Sequence, residues 1–526
     1  MSLPALSSSD TSRHIARNVL IVAASFGLAA ATGLFRNAVI ASSFGIGTQL
    51  DAYYAAFKLP DLLFTIVAGG ALATAFIPVF AGYATTRDQG DGHAGREAAW
   101  RFTAAVLNWV VLIVSSLALL AAILAPLLVR HLIAPGFDPQ QQAETAAVMR
   151  IVLVSTVIFG ISAVLGSALN GLKHFLLPAL APTVYPLGVA AGALWLTPTM
   201  GVRGMAAGAV AGSVLHLLIK VPALIKYGFR WSPVLRPGDG SLRRVAILMG
   251  PRVLDLGVFH LTLLATTNLA SRLGSGSVSA LEWGWDAMQL PETIIGTAFG
   301  LVAFPTFAGL AASGNRDGLR RTLGESLRTV LALAIPAAAG LVLLGRPLLA
   351  LLYQRGAFDA AATEGVYQAL RMYAVGLAGH SCLELVARAY FAEKDTVTPL
   401  LLAMGSAILS IVLGLLLMAP LGYAGLALAN SIAITLEVLA LLFILRNRWG
   451  GVEGRATSAQ LARVLGATAI MSLAIVGVSA ASNRSGMGNL LTLAVAGTAG
   501  IAVYAGASMV LRIRELGRFA TAVLGR

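Results

Sequence analysis

Long apolar runs, each broken by charge, glycine or proline, set the rhythm of this chain. Fourteen are legible, at 18–43, 52–83, 102–129, 147–170, 178–197, 203–225, 246–271, 280–311, 325–352, 364–391, 398–419, 423–445, 460–481 and 488–511. A run of roughly 20 apolar residues crosses a bilayer as one helix. The pattern therefore predicts an all-α polytopic membrane protein of about 14 transmembrane helices. Only Pro420-Leu421-Gly422 divides the stretch 398–445. The first run outlasts a signal-peptide core and lacks a convincing cleavage site, so it is expected to be a retained span.

The chain also repeats itself. A shift of 221 residues lays Pro126-Leu127-Leu128 on Pro347-Leu348-Leu349 and Phe137-Asp138 on Phe358-Asp359. Lys173 then falls on Lys394, Pro178 on Pro399, Gly201 on Gly422, Gly204 on Gly425 and Ala206 on Ala427. After a slightly different shift, Leu59-Pro60-Asp61 resembles Leu290-Pro291-Glu292, and Pro78-x-Phe80 resembles Pro305-x-Phe307. Compositional bias explains chance Leu or Ala matches, but not Pro, Lys and Phe-Asp kept in register. The unit is six spans, an even number, so both copies face the same way. Parallel repeats of this kind build two lobes with a substrate path between them. The expected division is 1–230 as N-lobe (spans 1–6), 231–245 as a basic cytoplasmic linker, 246–448 as C-lobe (spans 7–12), and 449–526 as spans 13–14 with a cytoplasmic tail.

Composition agrees: of 526 residues 57% are hydrophobic and 11% charged, with mean hydropathy +0.82, whereas soluble domains carry about 25% charged residues. A formal charge of +14 would point to nucleic acid in a soluble protein. Here the N-terminus and even-numbered loops carry 26 of the 37 basic residues and the opposite loops six. That bias places both termini in the cytoplasm and accounts for the charge without nucleic acid. The clusters at Arg236–Arg244 and Arg316–Arg321 read as solvated or headgroup-facing loops. One cysteine, Cys382, excludes an intrachain disulfide and a cysteine-based zinc site. No P-loop, HExxH or metal-ligand cluster supports ATP drive, hydrolysis, a cofactor or a metal. Gly201–Gly212 suits close helix packing.

Short motifs run through the whole chain: Asp51-Ala-x-x-x-Ala-Phe-Lys58-Leu-Pro60, Ala134-Pro-Gly-Phe137, Leu176-x-Pro178-x-x-Ala-Pro182, Met249-Gly-Pro251, Ser275-Gly-Ser-Val-Ser279, Arg355-Gly-Ala-Phe358, and Ala387-Arg-Ala-Tyr-Phe-Ala-x-x-Asp395-Thr-x-Thr-Pro399. In this order the chain resembles the MurJ/MviN family of lipid II flippases, part of the multidrug/oligosaccharidyl-lipid/polysaccharide exporter superfamily. The resemblance implies movement of an undecaprenyl-pyrophosphate-linked peptidoglycan precursor from the inner to the outer leaflet. It also implies a lipid-tail groove at spans 13 and 14. Arg36 matches one of the family's cavity arginines, with Asn37 where the family has an acid. Other family positions differ. Its earlier span-1 arginine falls at Ala30, its span-2 arginine and acid near Phe64-Thr65 and Gly69, and its span-8 arginine at Asp286. Its sodium-holding carboxylate and asparagine fall near Thr266 and Gly414.

An ionised side chain at mid-bilayer costs about 2.5–3.5 kcal/mol on insertion scales, so it faces protein or water. Arg36 in span 1 suits a pyrophosphate, because a guanidinium forks two hydrogen bonds onto phosphate oxygens; the alternative is snorkelling to the outer interface. Asn37 and Lys58, the latter just before Pro60, are its expected companions in substrate binding. Glu282, Asp286 and Gln289 share one face at the start of span 8, as gate candidates or a hydrated rim. Lys58 and Asp286 begin matching spans, and their opposite charges suit a gate. His380, Glu384 and Arg388 are spaced i, i+4, i+8 on span 10, as a proton relay or as a neutralised structural stripe. Glu437 is a solitary acid in span 12, and Arg252 with Asp255 reads as a local ion pair.

The sequence thus predicts a bacterial inner-membrane flippase, not an enzyme, working by alternating access of two lobes. Its expected partners are a lipid-linked oligosaccharide and membrane lipids, with cell-wall synthesis proteins as further candidates, and it is expected to be a monomer. The nearest rival is a sister exporter of another polyprenyl-linked glycan or a drug-like cation. A scaffold for cell-wall enzymes would not require charges inside spans. A membrane glycosyltransferase would show a carboxylate pair on a larger extramembrane surface.

Overall fold

An apolar segment in lipid must satisfy its own backbone, which only a helix or a closed barrel achieves. In the computed structural model, which describes residues 8–85, 92–235, 240–513, 515 and 517, every regular element is helical. The side chains of Arg13, Arg17, Arg87, Arg236, Arg252, Asp255, Arg514, Arg518 and Arg526 lie outside the described residues.

Each of the fourteen apolar runs coincides with a helical segment. They are α1 (Ser8–Phe44), α2 (Thr48–Tyr83), α3 (Gly92–Ile123), α4 (Pro139–Gly171), α5 (Leu176–Met200), α6 (Val202–Lys226) and α7 (Ser241–Ala270). Then follow α8 (Ser277–Ala312), α9 (Arg316–Tyr353), α10 (Ala360–Val375 and Leu377–Ala392), α11 (Val397–Leu421), α12 (Tyr423–Trp449), α13 (Gly454–Arg484) and α14 (Asn489–Val510). Among the described residues eleven helices are long and apolar enough to cross a membrane, and Leu256–Ala270 in α7 is a shorter apolar one. Gly376 divides α10, and Pro60 and Pro291 lie inside α2 and α8.

The chain forms two compact units, Met1–Leu264 and Ala265–Arg526. In the first, α4 is the hub, packed by α2, α3 and α6, while α5 lies against α1 and α6. Its core stacks Phe76 on Phe80 and Phe102, with Trp100 edge-on to Phe80. In the second, α10 is the hub, packed by α8, α9 and α12, and α11 lies against α12. The packing around these two hubs, α4 and α10, is alike, as the repeat predicts. α13 and α14 pair with each other and lie on α9, where Tyr504 donates to the Ala332 carbonyl at 2.6 Å. Arg328 of α9 holds this addition at its end, bonding Glu453 at 2.8 Å and Glu515 at 3.0 Å.

The repeat extends to single residues. Asp138 caps α4 by accepting from Gln141 N, and Asp359 caps α10 by accepting from Ala362 N. Phe358, just before the second cap, is buried flat against Trp283. Lys173 and Lys394 both take positive φ, 59° and 64°, in the loops before α5 and α11. Gly201 and Gly422 share φ 58°, a positive value that glycine adopts at little cost. Pro178 and Pro399 stand in the first helical turn, where the missing N–H breaks no hydrogen bond. Asp51, buried in the first turn of α2, sits at the favourable end of the helix dipole.

The same loop carries different chemistry in the two units. His174 stacks edge-on to Tyr227, and burial, then the Lys226 ammonium, lowers its pKa. At the matching place Asp395 binds Arg448 at 2.5 Å and accepts from Thr398 N and Oγ1. Against the opposing effect of burial, these bonds hold its carboxyl down to about 2. The Asp395-Thr-x-Thr-Pro399 motif is therefore a clasp between the α10–α11 loop and the end of α12.

Candidate functional site

In the first unit the polar groups of four spans converge. Asn37 of α1 is buried, and its Oδ1 accepts from Arg36 Nε at 3.0 Å and Nη2 at 2.8 Å. This fixes the plane of the half-buried guanidinium. Arg36 and Asp61 of α2 both act electrostatically on Tyr53 of α2 and Tyr185 of α5. One turn further along α2, Thr65 Oγ1 lies 2.9 Å from His260 Nε2 of α7. Buried Lys58 is within electrostatic reach of that histidine. Arg36, Asn37 and Lys58 are the residues that the sequence singles out; Tyr53, Asp61, Tyr185 and His260 it does not. Asp61 had a signal, because it stands in the repeated Leu-Pro-acid tripeptide.

A second cluster lies between α4 and α6. Lys220 Nζ donates to Ser162 Oγ at 2.7 Å and to Ser162 O at 3.0 Å, and His216 Nδ1 lies 2.9 Å from the same hydroxyl. Lys220, one of the 26 basic residues counted on the cytoplasmic side, is thereby buried against α4.

In the second unit the start of α8 faces α10. Trp285 meets His380 at 5.1 Å and Tyr373 at 5.3 Å between ring centroids, and Glu282 acts on Tyr373. Glu282 and Asp286 are half-buried, whereas Gln289 is exposed. The His380-Glu384-Arg388 stripe divides: His380 Nε2 lies 3.1 Å from Asn430 Oδ1 of α12, while Arg388 forms an ion pair with Glu384. Glu437 is buried in α12. Among the described residues no group of three or more His, Cys, Asp or Glu side chains is placed to hold a metal.

Two like-built helical units with ionisable clusters inside their spans define a polytopic membrane transporter. Residues 40–496 match the family described as lipid II flippase MurJ. The chain belongs to that family. It is 30% identical over 443 residues to the lipid II flippase MurJ of Burkholderia cenocepacia, covering 83% of this chain and 84% of that one. It is 29% identical over 459 residues to the probable lipid II flippase MurJ of Rhizobium meliloti, covering 84% and 83%. Its fold is that of a solved lipid II flippase MurJ in an inward closed conformation, with TM-score 0.77, 23% identity, and coverage of 94% of this chain and 99% of that one. An inward-facing multidrug resistance MATE family transporter is also similar in fold, with TM-score 0.67, 16% identity, and coverage of 80% and 95%.

Proposed function

We propose that this protein is a flippase that moves lipid II, the undecaprenyl-pyrophosphate-linked peptidoglycan precursor, from the inner to the outer leaflet by alternating access. The observation that carries the reading is the family match across residues 40–496, which reaches into both compact units. In this reading residues 1–230 and 246–448 are the moving lobes, 231–245 is their linker, and 449–526 is an addition that serves the lipid tail. The protein works as a monomer in the bacterial cytoplasmic membrane, with both termini in the cytoplasm, and makes or breaks no covalent bond. Cell-wall synthesis proteins that produce or consume the lipid are its natural neighbours. Arg36, steadied by Asn37, is the candidate phosphate ligand, with Lys58 adding positive charge. The residues Ala30 and Asp286, where the family has arginines, favour one second reading: another polyprenyl-linked glycan as cargo.

Liposomes containing the purified protein should move lipid II between leaflets without ATP. Leaflet exchange no faster than in protein-free vesicles would remove the reading, and preference for a different polyprenyl-linked glycan would install the second. Single-cysteine labels should react from outside at Arg484 and only from inside at Arg320. Reaction of both from one side would break the proposed topology.

A further inference from the structure

Helix α8 carries an acid, Glu292, directly after Pro291, as α2 carries Asp61 after Pro60. The turn that follows is a π-helix, Thr293–Thr297. Such bulges insert an extra residue per turn and often mark functional sites. Here the Glu292 carboxylate lies over Gly296, where a Cβ would stand 2.6 Å from Oε1, and it accepts from Thr297 Oγ1 at 3.4 Å. One turn along the same face, Gly300 leaves room for the Arg388 guanidinium. Arg388 pairs with the Glu384 carboxylate and donates to the Glu384 carbonyl at 2.6 Å. Glu292 lies within electrostatic reach of both Glu384 and Arg388.

Two carboxylates and one guanidinium sum to −1 inside a membrane-spanning unit. Like charges that share a half-buried site do not both stay ionised at little cost, and one proton makes the group neutral. Arg388 is committed to Glu384 at ion-pair distance, which leaves Glu292 to take the proton. We propose that Glu292, Glu384 and Arg388 form a proton-carrying site in the second unit, loaded in one state of the transport cycle and emptied in the other. The step is simple and balanced: the Glu292 carboxylate takes a proton from water to become a carboxylic acid, and returns it to water on release. Acidic side chains carry protons in this manner in many transporters. The proton's use in coupling rests on the flippase reading; the proton site rests on the placement of Glu292 and Arg388 over successive turns of α8 at Gly296 and Gly300 and on the Glu384–Arg388 pair.

The groups that face Glu292 are Thr293 and Thr297 on its own helix and Glu384 and Arg388 on α10. α9, which also packs here, has no ionisable residue between Arg328 and Arg346. His380 is engaged with Asn430, and Glu437 of α12 is not among the groups that act on Glu292.

Two measurements test the site. Infrared spectra of the purified full-length protein at neutral pH should contain a protonated-carboxyl C=O band that disappears in Glu292→Gln and persists in Glu437→Gln. In proteoliposomes the ratio of lipid II transport with and without an imposed pH gradient should exceed one for the wild type and fall to about one for Glu292→Gln. Because the readout is a ratio, a change in basal rate drops out. A carboxyl band unaffected by Glu292→Gln, or a wild-type ratio equal to that of the variant, overturns the proposal. If the wild type moves no lipid, the flippase reading fails, and the infrared band still decides the proton site.

Discussion

Gly208→Leu is expected to leave almost no folded protein, whereas Gly405→Leu is expected to be tolerated. Helices α5 and α6 cross backbone to backbone at Gly188, Gly192, Gly204, Gly208 and Gly212. A Cβ on Gly208 would lie 2.5 Å from the Gly188 carbonyl oxygen and 2.7 Å from Gly192 Cα, and neither is a side chain that can swing aside. Overpacking that side chains can absorb costs about 1–3 kcal/mol. A clash of two backbones forces the helices apart and removes the close packing that drives association in lipid. At Gly405 of α11 nothing lies within 4 Å of a new Cβ. The check is the detergent-solubilised monodisperse fraction of each variant. Equal recovery of Gly208→Leu and wild type would show that the crossing is looser than described.

The second large effect is expected at Arg36. If its guanidinium holds the pyrophosphate, Arg36→Ala removes charge-assisted hydrogen bonds worth about 1.5–3 kcal/mol. At about 1.4 kcal/mol per decade that is a loss of roughly tenfold to a hundredfold in transport. Arg36→Lys should recover only part of it, because an ammonium is a point charge without the planar fork. Asn37→Ala should give a smaller loss, since it removes the acceptor that orients Arg36 and not the charge. Each variant must be recovered as folded protein for the comparison to count. Undiminished transport by folded Arg36→Ala would remove this residue from the substrate site.

Much of the fold is legible in the sequence. All fourteen apolar runs became helical segments, because in lipid a long apolar stretch has no cheaper way to satisfy its backbone. The repeat was legible because its matched residues do local work: Asp138 and Asp359 cap helices, Lys173 and Lys394 turn loops, and Gly201 and Gly422 take positive φ. Local geometry constrains residue type, so it leaves a record in sequence.

The clusters were only partly legible, because they depend on which faces of distant helices meet. His260 stands as a solitary histidine in sequence, and only the fold brings it to Thr65. Lys220 reads as a loop cation, and only packing against α4 buries it on Ser162. Even spacing misleads: His380, Glu384 and Arg388 share a helical stripe, yet His380 turns to Asn430 while Arg388 lies beside Gly300. Sequence by itself determined the helices and the duplication, since these follow from each residue's own segment and its solvent. The tertiary structure decided the partners of the buried charges, since in a low-dielectric interior a charge is settled by whichever helix packs against it.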